Sequence, residues 1–285
     1  LFGYRARVGQ NLRVTSKYLK AGEQRAELVE ALFAKIARRY DLVNDVMTAG
    51  MHRAWKRQLV KRSGFSSGKR ALDLCCGTGD IAFLLAARAM NNMEERDIVE
   101  IGEKKTPEGA RAAARLRVPP ASIIGLDFTE PMLRLAEART RLLQKHGHEA
   151  GLAFVRGDAL RLPFPDETFD VVTVGYGLRN LADLRAGLEE IRRVLKRGGI
   201  FLSLDMGKPA NRLWRTILFT HLRLTLPALG WLFLRDADAY RYLVDSLEIY
   251  PAQEGVKRAM EEIGFVELGV KNFCGGAMGL NFGKK

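Results

Sequence analysis

The chain has 285 residues, 47% of them hydrophobic and 28% charged, which suits one large globular domain or two small ones and requires no disulfide staples. Three cysteines exclude a disulfide framework, and the adjacent pair Cys75-Cys76 fits neither a zinc knuckle nor a redox C-x-x-C. The net charge of +13 is compatible with an anionic partner, nucleic acid or a membrane surface. No apolar run reaches the length of a bilayer-spanning helix, the nearest, Ile217–Leu234, being interrupted by His221, Arg223 and Pro227.

The first twenty residues carry Arg5, Arg7, Arg13, Lys17 and Lys20 and no acid, a leader that fits the remnant of an organelle transit peptide. Residues 1–32 are therefore read as a basic extension and 33–285 as the main domain. A strand is predicted over Arg70–Leu74, running into the loop of LDLCCGTGD, with a buried helix over Asp80–Met90. Asn91–Pro120, rich in mixed charge and holding Pro107, Pro119 and Pro120, reads as an insertion, helical near Glu108–Arg117 or disordered. A strand over Ser122–Leu126 ends on Asp127, and a helix over Glu130–Lys145 follows with Pro131 in its first turn. Leu152–Val155 leads to Gly157-Asp158, and the β-branched run Asp170–Val174 meets Gly175. An amphipathic helix over Asp183–Lys196 is expected to stop at Gly198-Gly199, before a fifth strand over Ile200–Leu204. Lys208–Leu247 is long, helical and more apolar than one buried stripe requires, so part of it (about 208–247) is read as a cap over a ligand. Strands alternating with helices predict an α/β fold, a parallel sheet with helices on both faces.

In such a sheet ligands bind at the carboxyl ends of the strands, where the glycine loop lies. Gly77 and Gly79 allow backbone to approach a ligand, and the next helix offers free N–H groups. Asp127 suits ribose hydroxyls and Asp158-Ala159 an adenine amino group, while two acids at successive strand ends disfavour a phosphate ligand and favour a cation. The cysteines are given a packing role. With no H-x-x-x-H and no carboxylate cluster, no metal is expected.

LDLCCGTGD, GLDFTEPML, GDALRLPF and RVLKRGG, in that order, resemble the motifs of class I S-adenosylmethionine-dependent methyltransferases, implying their Rossmann-like sheet. FAKIARRYDLVNDVMTAGMHRAWK (Phe33–Lys56), GYGLRNLADL (Gly175–Leu184) and DADAYRYLVDSLEIYP (Asp236–Pro251) resemble the prenylquinone C-methyltransferases of ubiquinone, menaquinone and phylloquinone biosynthesis. LCCGTGD, GYGLRN and GGAMG (Gly275–Gly279) are similar to the plastid and cyanobacterial naphthoquinone branch, whereas the 91–120 insertion resembles the mitochondrial ubiquinone branch. The resemblance implies S-adenosylmethionine contacts at Gly77, Thr78, Gly79, Asp127, Asp158, Ala159 and Gly175, the last in place of a serine common in bacterial members. It implies reaction chemistry at Arg179, Asn180 and Tyr40, and Leu204-Asp205-Met206 departs from the usual Leu-Glu-Phe.

What the resemblance implies is methyl transfer to a quinol ring carbon, which becomes nucleophilic when a neighbouring hydroxyl loses its proton. Arg179 would stabilise the phenolate and hold the water that takes the proton, with Asn180 and Tyr40 fixing that network. Each residue has a plainer reading: Arg179 pairs with Asp183, Tyr40 lies in the core, His52 is a structural hydrogen-bonder. Trp214, Leu218, Leu222, Leu226 and Trp231 are candidate walls of an apolar channel. The favoured acceptor is demethylphylloquinol or demethylmenaquinol, with the ubiquinone-pathway benzoquinol as the alternative; an RNA methyltransferase or a non-catalytic assembly subunit is the alternative of another class. The expected partners are a prenylated quinol, a membrane surface touched peripherally, and a homo-oligomer or biosynthetic complex, with no nucleic acid. The expected setting is an organelle, plastid ahead of mitochondrion, or a bacterial cytoplasm.

Overall fold

The computed structural model describes residues 23–37, 40–89, 122–145, 151–234 and 237–285. Its strands are β1 (Arg70–Leu74), β2 (Ser122–Asp127), β3 (Leu152–Arg156), β4 (Phe169–Gly175), β5 (Leu195–Met206), β6 (Val266–Phe273) and β7 (Met278–Lys284). Its helices are α1 (Glu23–Ile36), α2 (Tyr40–Thr48), α3 (Met51–Ser63), α4 (residues 80–89), α5 (Glu130–Lys145), α6 (Leu184–Val194), α7 (Arg212–Leu234), α8 (Ala237–Ile249) and α9 (Ala252–Ile263). The basic extension to residue 22 and the 91–120 insertion lie outside the described residues.

The strands form one sheet in the order β3-β2-β1-β4-β5-β7-β6. The first five pair in parallel, and β7 enters antiparallel between β5 and β6. The order reverses at β1, whose neighbours are β2 and β4, so a crevice opens at the carboxyl end of β1. Alternate residues of each strand feed opposite cores. Leu72, Leu74, Val172, Val174 and Phe201 pack with α6 and α9, while Ala71, Val171, Leu202 and Leu204 pack with α3 and α4. A third core joins Leu32 and Phe33 of α1, Met132 of α5, Leu222 and Leu226 of α7 and Tyr242 of α8. This core forms the helical layer over the crevice.

The helix expected over Asp183–Lys196 is shorter. Asp183 is its N-cap, accepting from Ala186 N at 3.0 Å, and it stops at Val194 rather than at the glycine pair. Leu195 already pairs with Phe169, and Gly198, at φ +74°, lies in a bulge of β5 whose N–H donates to the Lys285 carbonyl at 2.9 Å. Burial of Leu195 in the sheet outweighs one more helical turn.

Two polar residues are buried between β1, β4 and α4. Thr173 Oγ1 donates to Asp73 Oδ1 at 2.8 Å, and Asp73 Oδ2 accepts from Ala82 N at 3.1 Å, satisfying one of the orphan donors at the start of α4. The strand thus caps the helix across the intervening loop. Thr173→Val leaves a buried carboxylate oxygen without its donor and is expected to cost about 1–3 kcal/mol. Denaturant unfolding checks it, with a lower midpoint at unchanged slope.

Candidate active site

The glycine loop begins where Cys76 N extends the β1–β2 ladder by donating to the Leu126 carbonyl at 3.1 Å. Gly79 N then closes a turn on the Cys76 carbonyl at 2.9 Å, and the Gly79 carbonyl accepts the first bond of α4 from Phe83 N. Gly79 adopts φ +87°, and a Cβ there would meet the Phe154 and Phe83 rings at 2.8 and 2.9 Å, so both conformation and space require glycine. The cysteines fill gaps left by two other glycines. A Cβ on Gly177 would meet Cys75 Cβ at 2.5 Å, and one on Gly125 would meet Cys76 Sγ at 3.0 Å. Burial, followed by the charge of Asp127, pushes both thiols well above their ordinary range, which leaves them poor nucleophiles.

Asp127 holds the loop from the neighbouring strand. Its Oδ2 accepts from Gly77 N at 2.8 Å and its Oδ1 from Thr129 N at 2.9 Å. Burial raises its pKa, and these backbone donors only partly offset the rise. Asp73, behind the loop, is pushed up to about 7 by burial, against the pull of Thr173 and Ala82. Each carboxylate oxygen has a second lone pair, so Asp127 can hold the loop and still accept from a ligand.

A cavity of about 680 Å³ opens here, within the range of about 300–1,000 Å³ usual for ligand pockets. Its lining is polar at Gly77, Asp127, Asp158 and Asn180 and apolar at Val29, Phe33, Phe128 and Met132. Ala159 and Gly175 also line it, and a Cβ on Gly175 would meet Ile81 Cδ1 at 2.5 Å. Five of the seven residues proposed for the cofactor therefore share this wall: Gly77, Asp127, Asp158, Ala159 and Gly175. Thr78 lines a smaller neighbouring cavity instead, and Gly79 lines neither. A strand-end carboxylate, close backbone and a cavity of this size fit an adenosine-bearing cation.

Arg179 and Asn180 form a 3-10 turn (Leu178–Asn180) after β4, but their side chains diverge. Arg179 is buried and its Nη1 donates to Asp205 Oδ1, so the expected Asp183 pairing is replaced: Asp183 is committed to the α6 cap. Asp205 of β5 is thereby the counterion of Arg179. Arg179 lies 6.0 Å from the centre of the Tyr176 ring, whereas Asn180 faces the cavity. Asn180 Nδ2 donates to the Tyr176 carbonyl at 3.3 Å, and its Oδ1 accepts from Tyr242 Oη at 3.2 Å. Tyr40 opens α2, and its side chain lies outside the described residues.

His52 is a structural hydrogen-bonder: its Nε2 lies 2.9 Å from Asp45 Oδ1, a carboxylate that Arg53 also holds and keeps below its ordinary pKa. Of the expected channel walls, Leu222 and Leu226 are core, Leu218 packs against it, and Trp214 Nε1 donates to the Cys274 carbonyl at 3.0 Å. Trp231 lies outside the described side chains. The apolar lining comes instead from α1 and the β2–α5 junction, because Leu222 and Leu226 of α7 face that core rather than the cavity. Sequence reasoning missed Lys56, Asp73, Tyr176 and Tyr242 as members of this neighbourhood. Their roles were not read from the pattern, although Asp73 lies in LDLCCGTGD and the other three inside the prenylquinone-family signatures. Among the described residues, no group of three potential metal ligands occurs.

Iodoacetamide is expected to label exposed Cys274 at pH 8 and leave Cys75 and Cys76 largely unmodified, read by peptide mass spectrometry.

The model of the ubiE/COQ5 methyltransferase family matches residues 18–285. The chain is 38% identical over 265 residues to the ubiquinone/menaquinone biosynthesis C-methyltransferase UbiE of Xanthomonas oryzae pv. oryzae, covering 93% of this chain and 92% of that protein. It is 37% identical over 262 residues to UbiE of Ectopseudomonas mendocina, covering 92% and 90%. Among solved structures, an S-adenosylmethionine-dependent methyltransferase of Thermotoga maritima, described as a possible histamine N-methyltransferase, matches with TM-score 0.56 at 18% identity. That match covers 90% of this chain and 99% of the other. A methyltransferase of Methanococcus maripaludis matches with TM-score 0.54 at 17% identity, covering 89% and 94%, and these two likenesses speak to the fold alone.

Proposed function

The chain belongs to the ubiE/COQ5 methyltransferase family and is an S-adenosylmethionine-dependent C-methyltransferase, and we propose that it methylates a ring carbon of a prenylated naphthoquinol, demethylphylloquinol or demethylmenaquinol. The observation that carries this reading is a single cavity whose lining is polar at Asp127 and Asp158 and apolar at Val29, Phe33, Phe128 and Met132. A polar cofactor and an apolar ring would meet in one space. In this reading the catalytic domain is 33–285 together with the rest of α1, whose Val29 lines the cavity, and the helices within 208–247 form a cap that packs on α1 and reaches the lining through Tyr242 and Asn180.

S-adenosylmethionine, when bound, supplies a methyl group on a sulfonium, already an excellent leaving group. The protein's work is then to orient the acceptor and make its carbon nucleophilic. Asp127 and Asp158-Ala159 would hold the ribose and adenine, with Gly77, Thr78 and Gly79 carrying the backbone close. Arg179, which lines neither cavity and is fixed by Asp205 beside the cavity-lining Tyr176, would stabilise through its positive charge the phenolate that makes the adjacent carbon electron-rich. Arginine is not the free base, since a guanidinium keeps its proton in proteins. A water held beside it takes the proton, while Asn180, tied at both ends of its amide, and Tyr40 orient that network.

Within the family, GYGLRN supports the naphthoquinol preference, and four of its residues, Gly175, Tyr176, Gly177 and Asn180, line the cavity. GGAMG lies apart from that lining, at the turn that receives Trp214. The names of both UbiE relatives pair ubiquinone with menaquinone. Labelled-methyl transfer to each acceptor, with and without a reductant, tests the reading by product mass spectrometry. Naphthoquinol is expected to turn over faster, and oxidised quinone is expected to fail. Faster turnover of the benzoquinol would reverse the branch, and equal rates on oxidised acceptor would sink the mechanism.

Arg179→Lys keeps the charge beside Asp205 but loses the planar fork. It is expected to lower kcat at least about tenfold with cofactor Kd nearly unchanged, as for a group acting in the transition state. A fall in Tm alone would reduce Arg179 to a structural ion pair.

A peripheral membrane setting, within an organelle or a bacterial cytoplasm, would bring the insoluble acceptor to the cavity. Support comes from α7, where Leu213, Ile217 and Leu224 are exposed on the side opposite Leu222 and Leu226. No described helix is long and apolar enough to cross a membrane. Flotation with anionic vesicles is expected to recover the protein at low salt and less of it at high salt, because part of the attraction is screened. Absence from the vesicle fraction at both salts would remove the membrane from the proposal.

A further inference from the structure

Behind the glycine loop lies a second, smaller cavity of about 30 Å³, which shares Cys75, Gly77, Gly175 and Tyr176 with the large one. That is more than the roughly 10–15 Å³ a single water needs, room for a small polar head group. Its wall includes Lys56, a lysine of α3 whose side chain is only 7% exposed. Lysine is seldom buried so deeply without a task or a partner. Lys56 Nζ donates to Asp80 Oδ2 at 2.7 Å and lies 5.7 Å from the centre of the Tyr176 ring.

The charges here do not close on one pair. Asp80 accepts a second cation, Arg139, whose Nη1 donates to Asp80 Oδ1 at 2.8 Å and to the Thr78 carbonyl at 3.0 Å. Burial pushes the Asp80 carboxyl up, but the two cations outweigh it and hold it below its ordinary range. Arg139 does not line the small cavity, whereas Lys56 does, and an ammonium carries three N–H donors, of which Asp80 engages one. Asp73 and Asp80 stand on the same wall. One buried ammonium beside two carboxylates repels a simple anion on one side and matches an α-amino acid zwitterion at both of its charges.

We propose that Lys56 binds the α-carboxylate of the cofactor's methionine end, with Tyr176 closing the cavity over it. The cofactor reaches the small cavity from the large one past Gly77 and Gly175, whose lack of side chains leaves the passage open. Lys56 acts on binding and takes no part in moving the proton or the methyl group. The inference rests on the cofactor's identity and is independent of which quinol accepts the methyl group.

The test compares two ligands by calorimetry, S-adenosylmethionine and its decarboxylated form, which keeps the ammonium and the sulfonium. Wild type is expected to prefer the carboxylate-bearing ligand at least about tenfold. Lys56→Gln is expected to reduce that preference below about threefold, chiefly by weakening S-adenosylmethionine and leaving the decarboxylated ligand nearly unchanged. A general loss of structure would weaken both alike and leave the ratio intact. A wild-type preference retained in Lys56→Gln, or no preference in wild type, overturns the proposal. Asp80→Asn provides a second variant should the first not fold: freeing Lys56 from its competitor is expected to raise the preference at least about threefold, and an unchanged ratio overturns the proposal. Failure of wild type to bind either ligand would instead strike at the cofactor itself.

Discussion

The hydrogen bond from Gly77 N–H to the buried carboxylate of Asp127 is the constraint on which the site depends. It ties the loop after β1 to the end of β2, at the point where the strand order reverses. Without it the loop would have to satisfy a buried donor elsewhere, and the crevice would lose its floor. Asp73 complements this from the rear by accepting from Ala82 N, so the loop is held between two carboxylates of adjacent parallel strands. Both carboxylates are raised by their burial, and both are retained because backbone and hydroxyl donors meet their oxygens.

The helical layer over the crevice is a consequence of apolar surplus. Two cores cover the faces of the sheet, and a third gathers α1, α5, α7 and α8 around residues that neither face accommodates. Tyr242 sits wholly within this third core, yet its hydroxyl reaches Asn180 at the cavity wall. The cap and the turn after β4 are therefore coupled by a polar contact that fixes the amide of Asn180. Arg179, one residue earlier, is fixed from the other direction by Asp205 on β5. A buried pair of this kind costs about 3–5 kcal/mol to break by removing one partner. That cost keeps the 3-10 turn rigid and its two side chains apart.

Much of the sheet was legible in the sequence. The short apolar runs at Arg70–Leu74, Ser122–Leu126, Leu152–Val155 and Asp170–Val174 each lead into a turn or acid signal, and alternation with amphipathic helices admits few topologies. The end of α6 was misread because Gly198-Gly199 is a strong local stop signal, while the pairing of Leu195 with Phe169 is a contact between distant segments. The channel walls assigned to α7 failed for a related reason. Periodicity shows that Leu222 and Leu226 share a face, but not what that face packs against.

The sequence by itself determined the fold class, the loop with its glycines, the acids at the strand ends and the kind of chemistry, because these follow from local pattern and from motif order. Tertiary structure alone decided the partners: Asp205 rather than Asp183 for Arg179, Tyr242 for Asn180, and Lys56 with Arg139 around Asp80. Each of these contacts joins residues 24 to 62 positions apart, on different elements. Charge and hydrogen-bonding capacity are written in the residue type, but the distance that makes them interact is set only when the sheet brings its strand ends and covering helices together.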